Sequence, residues 1–409
     1  MTNQVQDSFA VIVGGGAAGF FGAIACAEAS KRPVVLLEKS PQFLSKVRIS
    51  GGGRCNVTHS CFEPRELSTR FPRGQHELIG LFQRFQSRDT VDWFESRGVK
   101  LKTEADGRMF PTTDSSQTII DCLVQEARKA GVQSFTNQGV EHVKRTSSGL
   151  ELTLAGDQKI ACDRLLLATG GVRTPALGRL AAELGHTLEP SVPSLFTFHV
   201  DLPWLRELSG VAVEAAVSVP GTDLKERCPI LITHWGLSGP AILRLSAWGA
   251  RALHERNYVF PLHVNWVPQL NEQALSSRLQ ANRSGMPARL LANSPVAPLP
   301  VRLWEKLVLA AGIPADTRWS GLSRAAQHTL VQQLLRTEFQ VTGKSLNKDE
   351  FVTCGGVRLK EVDLKTMQSR ICQGLFFAGE LLDIDGITGG FNFQAAWTTG
   401  WIAGRAMAQ

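Results

Sequence analysis

A chain of 409 residues is longer than one hydrophobic core usually serves, so we expect two or three domains. Hydrophobic residues make up 43% and charged residues 20%, which argues against extended disorder. The net charge of +7 suits an anionic ligand, but the basic residues form no block of the kind that nucleic-acid-binding arms carry.

The cysteines and one apolar segment limit the class of protein further. The eight cysteines include no CxxC pair, so we expect them to be reduced and the protein to be cytoplasmic. Cys55, His59 and Cys61 lie close together, but no second ligand pair at a usual zinc spacing accompanies them, and we expect no metal site. Residues 9–27 are uncharged and long enough to span a bilayer, but a glycine cluster interrupts them. We therefore predict a buried strand and a packed helix in a soluble protein with no membrane partner.

The first forty residues carry the strongest motif. The predicted elements are, in order, a strand at Phe9–Val13, a sharp turn at Gly14–Gly19, a helix at Phe20–Ser30, and a second strand at Pro33–Leu37 that ends at Glu38. This order of strand, GxGxxG turn, helix, strand and acid is the dinucleotide-binding fingerprint in its required context.

Each residue type in the fingerprint has a physical reason. Gly14 permits the tight turn, Gly16 lets the backbone approach a pyrophosphate, and Gly19 lets the helix and strand pack closely. The helix N-terminus offers free N–H groups and a partial positive charge to phosphates. Glu38 can accept hydrogen bonds from both ribose hydroxyls. The fingerprint predicts a bound dinucleotide but does not separate FAD from NAD.

Later segments favour FAD. A buried strand at Leu165–Leu167 ends in Ala168-Thr169-Gly170-Gly171, where small residues let the chain pass close to a dinucleotide; it follows a predicted hairpin of Gly139–Arg145 and Leu150–Ala155. A further strand, Gly374–Phe377, runs into Gly379 and Glu380. An acid at that position can hold the ribityl hydroxyls of a flavin, a group that NAD lacks.

The segment that follows Glu380 opens the last predicted helix, Ala395–Met407. Its leading residues, Asp385–Gln394, contain Gly389 and Gly390. The N-terminus of this helix can face the N1–C2=O edge of a flavin and stabilise the negative charge that develops there on reduction.

A basic, glycine-rich loop is predicted at residues 46–56. Gly51, Gly52 and Gly53 give a backbone nest suited to phosphate or to the flavin edge, and Lys46, Arg48 and Arg54 add positive charge. Arg54 or Lys46 near the flavin would stabilise its reduced form. Cys55 either donates a proton to a carbon that has accepted a hydride, with Arg54 lowering the pKa of the thiol, or packs under the loop as a small buried side chain.

The segment Thr233–Pro240 lies at a strand end in the middle of the chain, and Pro240 starts a helix. His234 either acts as an acid or base, binds an anionic substrate, or is a satisfied structural group at the expected domain interface. Trp235 could stack on a planar substrate.

Several of these motifs together resemble those of the bacterial YhiN/BaiN-type flavoproteins, over nearly the whole chain. They are VIVGGGAAG (11–19), SGGGRCNVT (50–58), LLLATGG (165–171), THWGLSGPAIL (233–243), TCGGV (353–357) and GLFFAGELLDIDGITGGFNFQAAWTTGWIAG (374–404). The resemblance implies an α/β fold: a Rossmann-like FAD-binding domain built from both chain ends, with an inserted β-barrel-like domain that carries a small helical subdomain.

The pattern along the chain agrees with that plan. We assign residues 1–191 and 344–409 to the FAD-binding domain, 192–267 and 338–343 to the β-rich domain, and 268–337 to the helical subdomain. The supporting segments are predicted strands at Val211–Val219, Pro229–Thr233 and Phe339–Val341, and predicted helices at Glu272–Leu279, Val301–Ala311 and Arg324–Thr337.

The fingerprint, the later segments and the resemblance together predict the site. Expected FAD contacts are Gly14, Gly16, Ala17, Ala18, Gly19, Glu38, Lys39, Lys46, Ser50, Gly51, Gly52, Gly53, Arg54, Cys55, Asn56, Val140, Ala168, Thr169, Gly170, Gly379, Glu380, Asp383, Gly389, Gly390, Phe391 and Asn392. Arg54, Cys55 and His234 are the candidate catalytic residues.

Three activities are consistent with the resemblance. The first is a reductase that adds hydride across an activated C=C bond of a small molecule, with NAD(P)H as a transient donor because no second GxGxxG follows a later strand. The second reduces uridine to dihydrouridine in ribosomal RNA, and the third is an aminoacetone-type amine oxidase. The DIDGITGG block looks more like the BaiN branch, which favours a small molecule over ribosomal RNA. The sequence does not indicate an oligomeric state.

Overall fold

The computed structural model describes residues 8–172, 175–296, 298–345 and 352–409. Contacts divide the chain into two compact units, the first formed by Met1–Ser194 with Lys348–Gln409 and the second by Leu195–Asn347. The sequence placed the insertion at 192–343, and its division into a β-rich domain and a helical subdomain stays a prediction.

The first unit contains the N-terminal elements. They are β1 (Ser8–Val13), α1 (Ala17–Ser30), β2 (Val34–Leu37), α2 (Ser45–Gly53), β3 (Thr58–His59), α3 (Pro64–Ser68), α4 (Gln75–Phe82), α5 (Ser87–Glu95), β4 (Leu101–Thr103), β5 (Arg108–Pro111), α6 (Ser116–Lys129), β6 (Gln133–Phe135), β7 (Val140–Arg145), β8 (Leu150–Leu154), β9 (Lys159–Leu167), α7 (Pro175–Glu183) and β10 (Leu188–Ser194).

The second unit and the C-terminal part of the first unit follow. The second unit contains β11 (Thr197–His199), α8 (Pro203–Arg206), β12 (Ala212–Ser218), β13 (Lys225–Thr233), β14 (Gly236–Ser238), α9 (Pro240–Trp248), α10 (Ala250–Glu255), β15 (Phe260–Asn265), α11 (Glu272–Gly285), α12 (Val301–Ala310), α13 (Arg324–Leu335), β16 (Thr337–Val341) and β17 (Gly343–Ser345). The first unit then resumes with β18 (Val352–Val357), β19 (Val362–Asp363), β20 (Gln368–Ser369), β21 (Leu375–Phe377) and α14 (Phe391–Met407).

A parallel sheet forms the centre of the first unit. Its strand order is β19-β20-β21-β9-β1-β2-β6, and the run from β21 to β6 is parallel throughout. All four residues of β2 are buried, as expected for a parallel strand whose two faces are both covered. The β7–β8 hairpin pairs with β9 as predicted. The Rossmann fold predicted from the fingerprint is confirmed.

Two strands connect the first unit to the inserted unit. β10 ends at Ser194, immediately before the second unit, and β18 brings the chain back into the first unit. These two strands pair with each other in antiparallel register, with Ser194 opposite Val352. The chain therefore leaves and re-enters the first unit at adjacent positions.

The uncharged segment 9–27 forms β1 and most of α1, as predicted. No helix in the described ranges is long and apolar enough to cross a membrane. Both helices of the predicted site begin earlier than the sequence indicated: α1 starts at Ala17 and α14 at Phe391. In each case the glycine before the helix is its N-cap, so the glycine run ends where the helix begins.

The first and last long helices of the chain pack against each other through glycine. A Cβ at Gly400 in α14 would collide with the backbone carbonyl of Ala18 in α1, and a Cβ at Gly404 would collide with the carbonyl of Gly22. Because these contacts advance by four residues on both helices, α1 and α14 run parallel. The absence of side chains at these positions lets the two backbones touch.

The second unit is built on an antiparallel sheet of strand order β16-β15-β12-β13-β14-β11-β17. The segments predicted as strands at Val211–Val219 and Pro229–Thr233 belong to β12 and β13. The three predicted helices correspond to α11, α12 and α13. Its core includes the fully buried indoles of Trp266, Trp304 and Trp319.

Replacing Gly400 by alanine tests the contact between the two helices. We expect Gly400→Ala to lower the free energy of unfolding by about 1–3 kcal/mol, because the new methyl group forces two backbones apart. Gly80→Ala is the control, since Gly80 lies in α4 with no atom within 4 Å of a Cβ built there. It should leave stability unchanged or raise it by about 0.5–1 kcal/mol. Urea unfolding measures both, and equal stability of the two variants would contradict the packing argument.

Candidate functional site

Glycines shape the turn between β1 and α1. Gly14 has a φ of 113°, and a Cβ there would collide with the carbonyl of Ala168, while a Cβ at Gly19 would collide with the carbonyl of Gly14. Gly16 differs from both, because nothing lies within 4 Å of a Cβ built there. Gly16 is also the N-cap of α1 and offers no side chain to the first N–H groups of the helix. The turn therefore presents open backbone where a phosphate can bind.

Glu38 lies at the carboxyl end of β2 and is half-buried. Its Oε2 accepts a hydrogen bond from the Gly15 N–H at 2.7 Å, and its Oε1 accepts one from the Ser40 N–H at 2.8 Å. Each oxygen keeps a further lone pair for a ribose hydroxyl. The segment that leads into β7 at Val140 runs beside Lys39. Val140 and Lys39, two of the predicted FAD contacts, therefore lie at the same end of the site as Glu38.

The segment after β9 lies next to the glycine turn. Ala168 is buried, and its N–H donates to the carbonyl of Val13 at 2.9 Å. Thr169 and Gly170 follow and are half-buried. Gly170 has a φ of 80°, and no atom lies within 4 Å of a Cβ built there. Small residues thus keep this passage clear, as the sequence predicted.

The start of α14 is bonded to the SGGGRCN segment. Gly390, with a φ of 91°, is the N-cap of α14 and offers no side-chain cap. The Asn56 amide is oriented so that its nitrogen and its oxygen both have hydrogen-bond partners. In this orientation the side-chain oxygen accepts a hydrogen bond from the Gly390 N–H at 2.9 Å. The Asn392 side chain donates to the carbonyl of Gly386 at 2.9 Å and accepts from its N–H at 2.8 Å, while Phe391 is buried. Two parts of the predicted site, far apart in sequence, are therefore adjacent.

The N-termini of α1 and α14, neither of which has a side-chain cap, mark two separate positions in the predicted site. Ala18, near the start of α1, lies beside Gly400, which is well inside α14. Because the two helices are parallel and rise 1.5 Å per residue, the N-terminus of α14 lies about 12 Å beyond that of α1 along the common helix direction. Each N-terminus carries a partial positive charge. FAD has two groups that such charges favour, its pyrophosphate and the N1–C2=O edge of its ring, joined by a ribityl chain. The residues present therefore fit FAD, which would have its pyrophosphate at α1 and its ring at α14, as the sequence predicts.

An ion pair joins α2 to the segment that follows β21. Lys46 of α2 pairs with Glu380, whose side chain is 17% exposed against 44% for Lys46. Gly379, with a φ of 70°, donates its N–H to the Thr399 hydroxyl at 2.9 Å. Asp383 is half-buried in the turn that follows. A carboxylate and an ammonium group are thus available to the ribityl and phosphate groups.

The basic segment predicted as a loop is helical at its start. α2 covers Ser45–Gly53, but the backbone turns out of the helix at Ser50, with a ψ of 148°. Gly51, Gly52 and Gly53 then take φ values of 57°, 68° and 84°. Gly52 and Gly53 have open space around a built Cβ, so a ligand can approach this backbone closely. The loop prediction was wrong for residues 46–49, which are helical; Lys46 and Arg48 have good helix propensity.

Arg54 points to a cluster of acids on the neighbouring segment. Its Nη1 lies 2.7 Å from the Glu104 carboxylate and 3.6 Å from that of Asp114. The guanidinium also stacks over the Phe110 ring, 4.0 Å from its centroid. Arg54 thus has two acidic partners and an aromatic one, and its catalytic role stays a prediction.

Cys55 does not behave as a reactive thiol. Its side chain is fully buried, and burial raises the pKa of the thiol to about 12, with only the Ser50 hydroxyl opposing. The expectation that Arg54 lowers this pKa was wrong, because Arg54 pairs with acids instead. The thiol remains protonated at neutral pH. This environment matches the alternative interpretation, a small side chain packed beneath the loop.

His234 lies in the second unit. It forms a two-residue turn with Trp235 between β13 and β14, whose register pairs Thr233 with Gly236. His234 is exposed, and Trp235 is 69% exposed with its ring 6.3 Å from that of His199. Pro240 begins α9 as predicted. The catalytic role of His234 stays a prediction.

Sequence reasoning missed a buried ion pair that positions the C-terminal block. Arg73 and Asp385 form a two-point ion pair, and Ser194 donates to the same carboxylate at 2.9 Å. Asp385 is fully buried; burial raises its pKa, and the Arg73 guanidinium opposes that shift. An acid inside the DIDGITGG run was a signal, since a buried carboxylate needs a partner. The sequence could not indicate that the partner is Arg73.

Removal of the Glu38 carboxylate should release the cofactor. We expect Glu38→Ala to lose FAD on gel filtration, because the ribose loses its acceptor and the Gly15 turn loses a hydrogen bond. Glu95→Ala, at an exposed position in α5, is the matched control and should retain its flavin. The ratio of flavin to protein absorbance measures retention. A full complement of flavin in Glu38→Ala would contradict the assignment of the adenine end.

Cys55 should resist alkylation in the folded protein. At neutral pH we expect iodoacetamide to modify half-buried Cys228 faster than Cys55, since burial encloses the Cys55 thiol and holds its pKa near 12. Peptide mass mapping measures the two sites, and urea should make Cys55 react. Equal rates at the two cysteines of the folded protein would show that the thiol is accessible.

The comparisons with known proteins agree with this geometry. The profile of the HI0933-like protein Rossmann domain matches residues 8–406. The chain is 33% identical to a ribosomal RNA dihydrouridine synthase of Escherichia coli, over 96% of both proteins. It is 29% identical to a 3-dehydro-bile acid delta(4,6)-reductase of Clostridium scindens, over 97% of this chain and 98% of that protein.

One solved structure gives independent support for the fold. The 3-ketosteroid-delta4-(5alpha)-dehydrogenase of Rhodococcus jostii RHA1 aligns with a TM-score of 0.54 at 14% identity, over 100% of this chain and 98% of that one. At this identity the likeness shows a common fold. The chain belongs to the HI0933-like family and is an FAD-dependent oxidoreductase.

Proposed function

We propose that this protein reduces a C=C bond conjugated to a carbonyl, with NAD(P)H as the electron donor. The observation that carries the proposal is that two full-length relatives are named for this chemistry on unrelated molecules. Dihydrouridine is uridine with the C=C bond of its ring saturated, and a delta(4,6)-reductase of a 3-dehydro-bile acid acts on C=C bonds conjugated to the 3-oxo group. Both names therefore describe reduction of a C=C bond conjugated to a carbonyl, on different substrates.

The first unit supports this chemistry at the flavin end of the site. Bound FAD supplies the electron pair. The uncapped N-terminus of α14 favours negative charge at the ring, which makes reduction of the cofactor easier. No second GxGxxG follows a later strand, so a nicotinamide donor has no dedicated domain and docks transiently.

The reaction also needs a proton at the second carbon. Cys55 carries a proton throughout the neutral range, but its thiol is enclosed. His234 is exposed on a tight turn and is open to solvent and ligand. Of the two proposed proton donors, accessibility supports His234.

A second candidate is the reduction of uridine in ribosomal RNA. The specific observation in its favour is the 33% identity to the Escherichia coli enzyme over 96% of both chains. The net charge of +7 also suits a polyanion. The small-molecule candidate is favoured by the DIDGITGG block and by the relative that acts on a bile acid.

Anaerobic stopped-flow measurement of the FAD-loaded protein tests the proposal. We expect NADPH or NADH to bleach the flavin, and a conjugated enone or a ribosomal RNA transcript to restore its colour. Free FAD at the same concentration is the control for bleaching without the protein. Bleaching by a primary amine such as aminoacetone, and by neither nicotinamide, would show an amine oxidase and overturn the proposal.

A further inference from the structure

A basic groove lies on the second unit, and none of its lining residues belongs to the predicted site. It has a volume of about 570 Å³ and runs across β12, β13 and β15 to the end of α13. We name it the basic groove and define it by its lining residues: Ala216, Val217, Ser218, Lys225, Glu226, Arg227, His263, Asn265, Leu335 and Arg336.

The sheet register explains why polar groups gather in this groove. Lys225 pairs with Ser218, and Ser218 pairs with His263, which gives one row across three strands. A second row, two residues along, runs from Arg227 through Ala216 to Asn265. Residues two apart on a strand share a face, so both rows face the groove. Val217, which lies between the two rows, is buried in the hydrophobic core of the unit.

The cations of the groove are not neutralised. Lys225, Arg227 and Arg336 are exposed, and none forms an ion pair with a carboxylate in the described part of the chain. His263 has a partner, Glu338, at 3.3 Å. Glu226 is the one acid among the lining residues. Three exposed cations around one concave surface repel each other, and an anionic ligand would relieve that repulsion.

We propose that the basic groove binds the phosphate backbone of RNA. Arg227 and Arg336 supply planar guanidinium groups that bind phosphate oxygens in pairs, and Lys225 supplies a third charge. Ser218 and Asn265 offer a hydroxyl and an amide, which donate to phosphate and sugar oxygens. Contacts to phosphate carry no direct sequence information, so in this mode the groove contributes affinity and register.

The spacing of the cations favours a nucleic-acid backbone over a single phosphate. Lys225 and Arg227 are two residues apart on an extended strand, roughly 7 Å, which is comparable to the spacing of successive phosphates on one nucleic-acid strand. The inference rests on the groove and stands apart from the identity of the reduced substrate.

Fluorescence anisotropy with a labelled RNA hairpin tests the groove in the full-length, FAD-loaded protein. The test variant is Arg227→Glu/Arg336→Glu. The matched control is Arg283→Glu/Arg289→Glu, which changes the net charge equally at exposed arginines of the same unit. We expect the groove variant to weaken binding about tenfold or more and to lower the slope of log K against log salt by roughly 2, one for each lost phosphate contact. The control should change the affinity less than about twofold.

The outcomes separate this proposal from its alternatives. Equal weakening by both variants would show that net charge alone attracts RNA, and absence of binding by the unmodified protein at low salt would also overturn the proposal. Competition by inorganic phosphate, beyond that of a chloride control at the same ionic strength, would assign the groove to a single phosphate and overturn it too. Arg227→Gln/Arg336→Gln gives the same test should the charge reversal impair folding. Reduction of a small enone should be equal in all variants, so failure of RNA binding leaves the proposed reductase function intact.

Discussion

The backbone contact between α1 and α14 is the constraint on which the rest of the first unit depends. One helix comes from the start of the chain and the other from its end, and glycines at positions 22, 400 and 404 let them touch without side chains between them. The contact aligns two uncapped N-termini on one side, offset along the site. FAD is negative at its central pyrophosphate and, when reduced, at its ring, so it fits two N-termini that no single segment of the chain provides.

The sequence predicted the parts of the site that depend on local chemistry. The turn at Gly14–Gly19, the acid at Glu38 and the small residues after β9 each follow from a physical requirement of their own segment, and the structure has them adjacent. The first residues of α1 and α14 were predicted too late in the sequence. Glycine before α1 and α14 indicated a turn, and only the packed structure shows that the helix begins directly after it.

Features that depend on distant partners could not be predicted. The pairing of Arg73 with Asp385 joins segments from opposite ends of the chain, and the burial of that pair is a property of the fold. The pKa of Cys55 is a similar case. The neighbouring Arg54 predicted a lowered pKa for the thiol. In the structure the Arg54 guanidinium pairs with Glu104 and Asp114 instead, and burial of the thiol raises its pKa. Neighbouring position in sequence is a poor guide to electrostatic contact.

The pairing of Ser194 with Val352 has a consequence for how such proteins diversify. Because the two ends of the insertion leave the first unit side by side, a foreign segment with adjacent termini can replace it without disturbing the parallel sheet. The parallel sheet and the inserted unit are then parts of one chain that can change independently.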